Sequence, residues 1–358
     1  MTPLIRAVID TSALRHNLAR VRQLAPQSKV LAVIKANAYG HGSVPTAVAL
    51  AGADGFAVAR IEEGIALRAA GLRHRIVLLE GVFDADQMRQ AAHHGLELLV
   101  HEPGQLAMLD AWRGDHVFAV WVKVDTGMNR LGFKPAQFAG AVQRLRDCPA
   151  VASPLTLVTH LANADDRDDL RTRAQLELFE RLTAGLPGER SIANSAGTMA
   201  FAGARADWVR PGLMLYGVSP FEDSTGQDFD LRPAMRLETT VIAVKDVAPG
   251  EQVGYGCTWT ATRPTRLAVA AVGYGDGYPR NTPSGTVVLV NEQPAGLAGR
   301  VSMDMITIDV THLPRVLVGD PVLLWGPGLP VEQVARAAGT IPYELVCGIS
   351  QRVHVDVR

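Results

Sequence analysis

Short runs of Val, Ile and Leu recur at a steady interval through the first two thirds of the chain. They read VLAVI (30–34), GFAVA (55–59), IVLLE (76–80), LELLV (96–100), VFAVWVKV (117–124), LTLVTH (155–160), SIAN (191–194) and VRPGLMLYG (209–217). The runs are near-continuous rather than alternating, the pattern of strands buried on both faces. Helix-like stretches separate them. Ile65, Ala66 and Ala69 share a face in EEGIALRAAGL, and Leu176, Phe179 and Leu182 share one in QLELFERLTAG. Gly71, Gly95 and Gly185 stand where such helices end. Eight β–α units within roughly 200 residues are what an eight-fold β/α (TIM-type) barrel requires. The alternative, a doubly wound open sheet, favours a G-x-G-x-x-G first turn, whereas this turn reads IKANAYGHG.

The pattern changes near residue 225. EDSTGQDFD is polar and rich in turn formers, and reads as a linker. Beyond it the chain favours strands, in LETTVIAV, RLAVAAVGYG, GTVVLV, MITIDV, DPVLLWG and QRVHVDV, with VEQVARAAG (331–339) as the one clear helix. The expected architecture is α/β: a β/α barrel over 1–230, then a mostly β domain over 231–358. The opening strand RAVID (6–10) could join either.

Charge narrows the partners. With 35 Lys+Arg against 36 Asp+Glu the formal net charge is −1, and no basic cluster interleaved with aromatics occurs. Phosphate-backbone binding needs a basic face, so a nucleic-acid partner is not expected. Cys148, Cys257 and Cys347 lie far apart and form no C-x-x-C pair, which fits a reducing compartment. Asp10 interrupts any apolar stretch near the start, so no signal peptide is read, and no run of about 18 uncharged apolar residues suggests a membrane span. The expectation is a cytoplasmic protein without a metal, since the histidines show no H-x-x-x-H spacing.

A barrel of this kind carries its site at the C-terminal ends of its strands. Lys35, Tyr39, Arg130, His160, Asn194, Ser195, Arg210 and Gly212 fall there. Lys35 ends an apolar strand. It is either a mouth lysine paired to a carboxylate or an amine of lowered pKa that forms a Schiff base with a carbonyl. The loops after strands seven and eight offer Ser195, Ala196, Gly197 and Gly212, either a phosphate cradle or simply tight turns. Lysine plus cradle suggests pyridoxal phosphate, although many barrels bind phosphorylated substrates instead. Arg210 would then face the pyridine nitrogen. An arginine there keeps that nitrogen unprotonated and weakens the electron sink, which suits returning a proton to the same carbon.

VIKANAYGHG (33–42), KVDTGMNRLG, THLANAD, IANSAG, RPGLMLYG, VGYGCTW, VGYGDGYPR, GRVSMDM and YELVCGISQRV, in this order, span nearly the whole chain. In these motifs the sequence resembles alanine racemase, a fold-type III pyridoxal-phosphate family. The resemblance implies interconversion of L- and D-alanine, for peptidoglycan supply or alanine catabolism. It makes Lys35 the cofactor lysine and one of two bases. Tyr255 is the second base, acting from a partner subunit and supported by His160 and Arg210. Tyr39, Ser195, Gly212, Leu213 and Tyr343 match phosphate contacts, with Asn194 beside them. Arg130 matches the arginine near the substrate carboxylate, and Met303 a backbone contact to it from the partner. The family often has Cys where this chain has Ser302. Lys123 matches a lysine that is often carbamylated; the other reading is a plain lysine paired with Asp125 or another acid. Asp165, Tyr274, Arg280 and Arg300 line the matching access corridor, with Tyr255 and Tyr343 as its inner gate. A homodimer with shared sites follows. A basic amino-acid decarboxylase or a non-enzymatic cofactor binder of the same barrel would lack the GYG and SMD motifs of the second domain.

Overall fold

In the computed structural model, which describes residues 3–358, the eight runs close on themselves. After β1 (Arg6–Ile9), the parallel strands β2 (Lys29–Val33), β3 (Gly55–Val58), β4 (Arg75–Leu78), β5 (Glu97–Val100), β6 (Val120–Lys123), β7 (Thr156–Val158), β8 (Arg190–Ser191) and β9 (Trp208–Val209) form a closed barrel. Pairing of β9 with β2 at Val209↔Val30 completes the ring. Strand interiors such as Leu31, Phe56, Val77 and Val122 are fully buried, so both faces are covered and the runs need no polar alternation. The eighth run stops early. Pro211 and Gly212 end the strand, and Leu213–Tyr216 coil into a short 3-10 helix instead.

The two helix faces match the expectation in part: Phe179 is buried, and Ile65, Leu176 and Leu182 pack against the core. In Ile61–Ala69 the buried residues are Ile61, Gly64 and Leu67, while Ala66 and Ala69 face solvent. Gly64 lies so close to the Leu96 side chain, just before β5, that an added Cβ would come 3.1 Å from it. In Leu170–Thr183 the buried set is Thr172, Gln175, Phe179 and Thr183, with Leu176 and Leu182 packed at its edge.

The N-terminal end of the barrel is plugged. Arg75 lies 4.8 Å above the Trp208 ring and 5.9 Å from Trp121. The two indoles donate to Glu189 at 2.6 Å and to Glu97 at 2.7 Å. The opposite mouth is left for chemistry.

After β10 (Met235–Val247), β11 (Gln252–Val253) and β12 (Trp259–Thr260) form a separate two-stranded hairpin, whose Val253 packs with Leu267 and Ala298. The strands β13 (Thr265–Ala270), β14 (Val287–Val290), β15 (Gln293–Leu297), β16 (Ile306–Asp309), β17 (Pro321–Trp325) and β18 (His354–Val357) follow. With β10 and β1 these six form an eight-stranded sheet in the order β13-β16-β15-β14-β17-β10-β1-β18. Strand β1 sits inside it, antiparallel to β10 (Arg6↔Glu238) and parallel to β18 (Arg6↔His354). Asp10 then caps the helix Thr11–Leu24 through the N–H groups of Ser12 and Ala13 and returns the chain to the barrel. The second domain holds a further helix, Pro342–Cys347, beside Val331–Ala337. The linker is tied down, because Glu332 accepts from the backbone N–H of Ser219 (2.9 Å) and Gly226 (2.8 Å). No helix among the described residues is long and apolar enough to cross a membrane.

Candidate active site

The open mouth of the barrel holds a cavity of about 560 Å³. Lys35 reaches it from the end of β2. The next four residues, Ala36 to Tyr39, all have φ between 52° and 53°, a left-handed turn closed by Gly40. Such backbone costs an L-residue roughly 1–2 kcal/mol. Surrounding contacts impose it here: Glu63 accepts from the N–H of Ala36 (2.6 Å) and of Ala59 (2.8 Å), and Asn37 accepts from the N–H of Ser43 (2.9 Å). Gly40 is required, since a Cβ would stand 2.0 Å from the carbonyl oxygen of Val346. Burial and then the charge of Arg130 lower the pKa of Lys35. Glu80, also at the mouth, is paired with Arg60 at 2.8 Å, so the lysine is not the carboxylate-paired one of the first alternative.

Across the cavity, Ser195 Oγ accepts from the N–H of Gly212 (2.9 Å) and Met214 (3.3 Å). Asn194 caps the helix Ser195–Ala200 through Gly197 N–H at 2.9 Å. A Cβ on Gly212 would lie 2.5 Å from the hydroxyl of Tyr39, so only glycine leaves this corner open. Leu213 and Tyr343 complete this wall, where burial, followed by the charge of Asp165, raises the Tyr343 phenol to about 12.

On the third side Arg210 is buried and donates to Ser191 Oγ (2.7 Å), the Thr159 carbonyl (2.7 Å), the Ile192 carbonyl (3.2 Å) and His160 Nδ1 (3.2 Å). Gln175 holds the His160 carbonyl from the neighbouring helix at 3.1 Å. Lys123, at the end of β6, is buried, and desolvation together with Arg210 and Arg130 pulls its pKa down to about 8. Asp125 is not its ion-pair partner, because that carboxylate takes Lys134 at 2.6 Å and the N–H groups of Gly127 and Asn129. Four cationic side chains, Lys35, Lys123, Arg130 and Arg210, thus line one cavity, which favours an anionic occupant.

Six of the expected residues stand elsewhere in the chain. Tyr255 is 69% exposed in the turn between β11 and β12, and Met303 is 52% exposed. Arg300 lies against the Tyr255 turn, 3.0 Å from where a Cβ of Gly256 would be. Gly275 N–H donates to the Met303 carbonyl at 2.9 Å and Tyr274 N–H to the Ser302 carbonyl at 3.1 Å, which joins those two loops. Tyr274, Arg280, Arg300 and Asp165 are exposed. None of the six lines the cavity of its own chain. Conversely, Glu63, Glu80, Gln175 and Cys347 shape or line the mouth without having been singled out. Glu63 carries the only prior signal, an acid in the first turn of a helix. Among the described residues no group of three His, Cys, Asp or Glu side chains could hold a metal.

Family comparisons agree with this geometry. The family profile "Alanine racemase, N-terminal domain" matches residues 9–220, and "Alanine racemase, C-terminal domain" matches 234–357. The chain belongs to the alanine racemase family. An alanine racemase of Nitrosococcus oceani is 55% identical over 349 residues, 97% of this chain and 98% of the relative. The crystal structure of the biosynthetic alanine racemase from Pseudomonas aeruginosa superposes with a TM-score of 0.97 at 46% identity and covers both chains fully. That of the Bartonella henselae alanine racemase, which carries covalently bound pyridoxal phosphate, gives a TM-score of 0.88 at 32% identity, again covering both chains fully. The alanine racemase fold therefore extends across the whole of this chain.

Proposed function

We propose that this alanine racemase seats pyridoxal 5'-phosphate on Lys35 and inverts alanine with two bases, Lys35 and the Tyr255 of a second copy, one removing the α-proton and the other returning a proton to the opposite face. The observation that carries the reading is Lys35 itself: an amine of lowered basicity, without a carboxylate partner, facing a glycine-floored cradle in a cationic cavity. When bound, the cofactor supplies an electron sink that acidifies the α-proton of an attached amino acid. Ser195, Gly212, Leu213, Tyr39 and Tyr343 would hold its phosphate, with Asn194 bracing the Ser195 helix. The cation of Arg210 would meet the ring nitrogen.

Lys35 Nζ takes or returns the proton on one face. On the other face the phenol of Tyr255 does the same, its anion accepting a hydrogen bond from His160 Nε2–H, which Arg210 orients. Arg130 forks onto the substrate carboxylate together with the backbone N–H of Met303. Lys123, carrying a carbamate, would offer Arg130 an anion. Asp165, Tyr274, Arg280 and Arg300 would border the corridor, with Tyr255 and Tyr343 narrowing it to the width of a methyl group. The exposure of Tyr255 and Met303, away from their own chain's cavity, supports a homodimer in which each copy completes the other's site. Three unpaired cysteines support a cytoplasmic setting.

The test is the optical rotation of L-alanine with purified protein and pyridoxal phosphate. Rotation decays to zero with the native chain and stays constant with Lys35→Ala. A constant rotation with folded native protein carrying the bound chromophore would overturn the reading.

A further inference from the structure

Behind the Lys35 turn, two residues that each carry a buried, unpaired nitrogen line one small cavity. His41 is fully buried, and its Nδ1 lies 2.8 Å from the Tyr39 carbonyl and 3.1 Å from the Ala38 carbonyl. Carbonyls only accept, so Nδ1 carries the proton and Nε2 is an acceptor. That Nε2 has no partner among the described residues. Trp325, at the end of β17, is also buried, and its Nε1–H, a donor only, is likewise unpaired. Both residues line the same cavity, about 10 Å³, beside the buried carboxylate of Glu332. That is about the room one water needs. A donor and an acceptor that are both buried and both unpaired are costly separately, and a single water relieves both.

We propose that one ordered water bridges Trp325 Nε1–H to His41 Nε2, and that through it the second domain positions the turn carrying Lys35 and Tyr39. The role given to the turn rests on the cofactor reading above. His41 holds two carbonyls of the left-handed turn. The Tyr216 ring packs between the His41 ring (4.5 Å) and the Tyr39 ring (4.8 Å), and its hydroxyl donates to the Val33 carbonyl at 2.9 Å, two residues before Lys35. Rotation of the imidazole would therefore shift Tyr216, Tyr39 and the end of β2 together. Trp325 is fixed in turn by Tyr278, stacked at 6.2 Å with an interplanar angle of 15°. His41 and Trp325 are on this account positioning residues, outside the barrel-mouth cavity that holds Lys35 and away from any reacting atom.

The experiment pairs a high-resolution crystal structure of the native holoenzyme with two variants. Trp325→Phe keeps an aromatic ring and removes the N–H, and His41→Asn keeps a donor toward the turn and removes the Nε2 acceptor. Pyridoxal phosphate is titrated back into stripped protein by visible absorbance, and kcat and KM are measured for L-alanine. The expected result is water density within hydrogen-bond reach of both nitrogens. Each variant should bind the cofactor about fivefold to tenfold more weakly, with kcat reduced and KM unchanged. The double variant should be no weaker than the worse single one, because both serve one water. A site without water density, additive losses, or Trp325→Phe with native cofactor affinity would overturn the proposal. Native protein that fails to take up pyridoxal phosphate would instead sink the cofactor reading, while the density alone still decides the bridge.

Discussion

Arg210 Nη2 donates to His160 Nδ1 at 3.2 Å. A guanidinium has no acceptor, so Nδ1 must accept and the imidazole proton sits on Nε2. Burial, and then the positive charge of Arg210, hold the His160 pKa well below its ordinary value. The ring is therefore neutral at working pH, with its single N–H on the side away from Arg210. Nitrogen-15 NMR of the native protein should show the neutral Nε2–H form of His160 across about pH 6–8. A protonated ring, or a proton on Nδ1, would break the proposed support of the Tyr255 phenolate.

Lys123 gives a second prediction. Its amine titrates near 8, so the neutral form that reacts with carbon dioxide grows as pH rises through that value. Labelled bicarbonate should give a carbamate carbon signal that is absent in Lys123→Met, and no signal in the native protein would remove the carbamate. In the unmodified protein the folded pKa lies below that of the free amine. The unfolded chain thus binds more protons between about pH 8 and 10.5, and stability rises with pH across that window.

How much of this was legible in the chain depended on whether a residue's role could be seen in apolar pattern. The barrel was visible because Val, Ile and Leu fill its strands without interruption, and the lysine because it ends one of them. The faces of Ile61–Ala69 and Leu170–Thr183 were legible only in part, for two physical reasons. Gly64 is buried by close approach rather than by a side chain, and Gln175 is buried because it satisfies Ala162 N–H, Thr126 and the His160 carbonyl. The helix Pro342–Cys347 is too short to show a period, and β15, with Pro294 and Gly296 inside it, does not look like a strand. Tyr255 came only from resemblance, since an exposed tyrosine in a turn carries no local signal. The pairing of His41 with Trp325 links residues distant in sequence through groups that are individually unremarkable.

The cradle can be tested without touching a charged group. Gly212→Ala places a methyl 2.5 Å from the Tyr39 hydroxyl, so one of them must move. The variant should fold, with a stability loss of about 1–3 kcal/mol, and bind pyridoxal phosphate more than about tenfold more weakly. Native cofactor affinity in this variant would place the phosphate elsewhere.

The plug at the far end of the barrel should separate stability from activity. Arg75→Met removes a cation stacked on two indoles and its ion pair with Glu97 at 2.8 Å. Urea unfolding should show a loss of about 1 kcal/mol, with kcat and KM for alanine unchanged. A fall in kcat at full folding would tie that end of the barrel to the chemistry.

The most direct measurement of the central claim mixes two inactive variants, Lys35→Ala and Tyr255→Phe, under conditions where mass spectrometry shows that subunits exchange. In a mixed dimer one site loses both bases and the other keeps both. Random exchange makes half of the dimers mixed, so racemisation should return to about a quarter of the native level. No recovery, with exchange demonstrated, would contradict a site built from two chains.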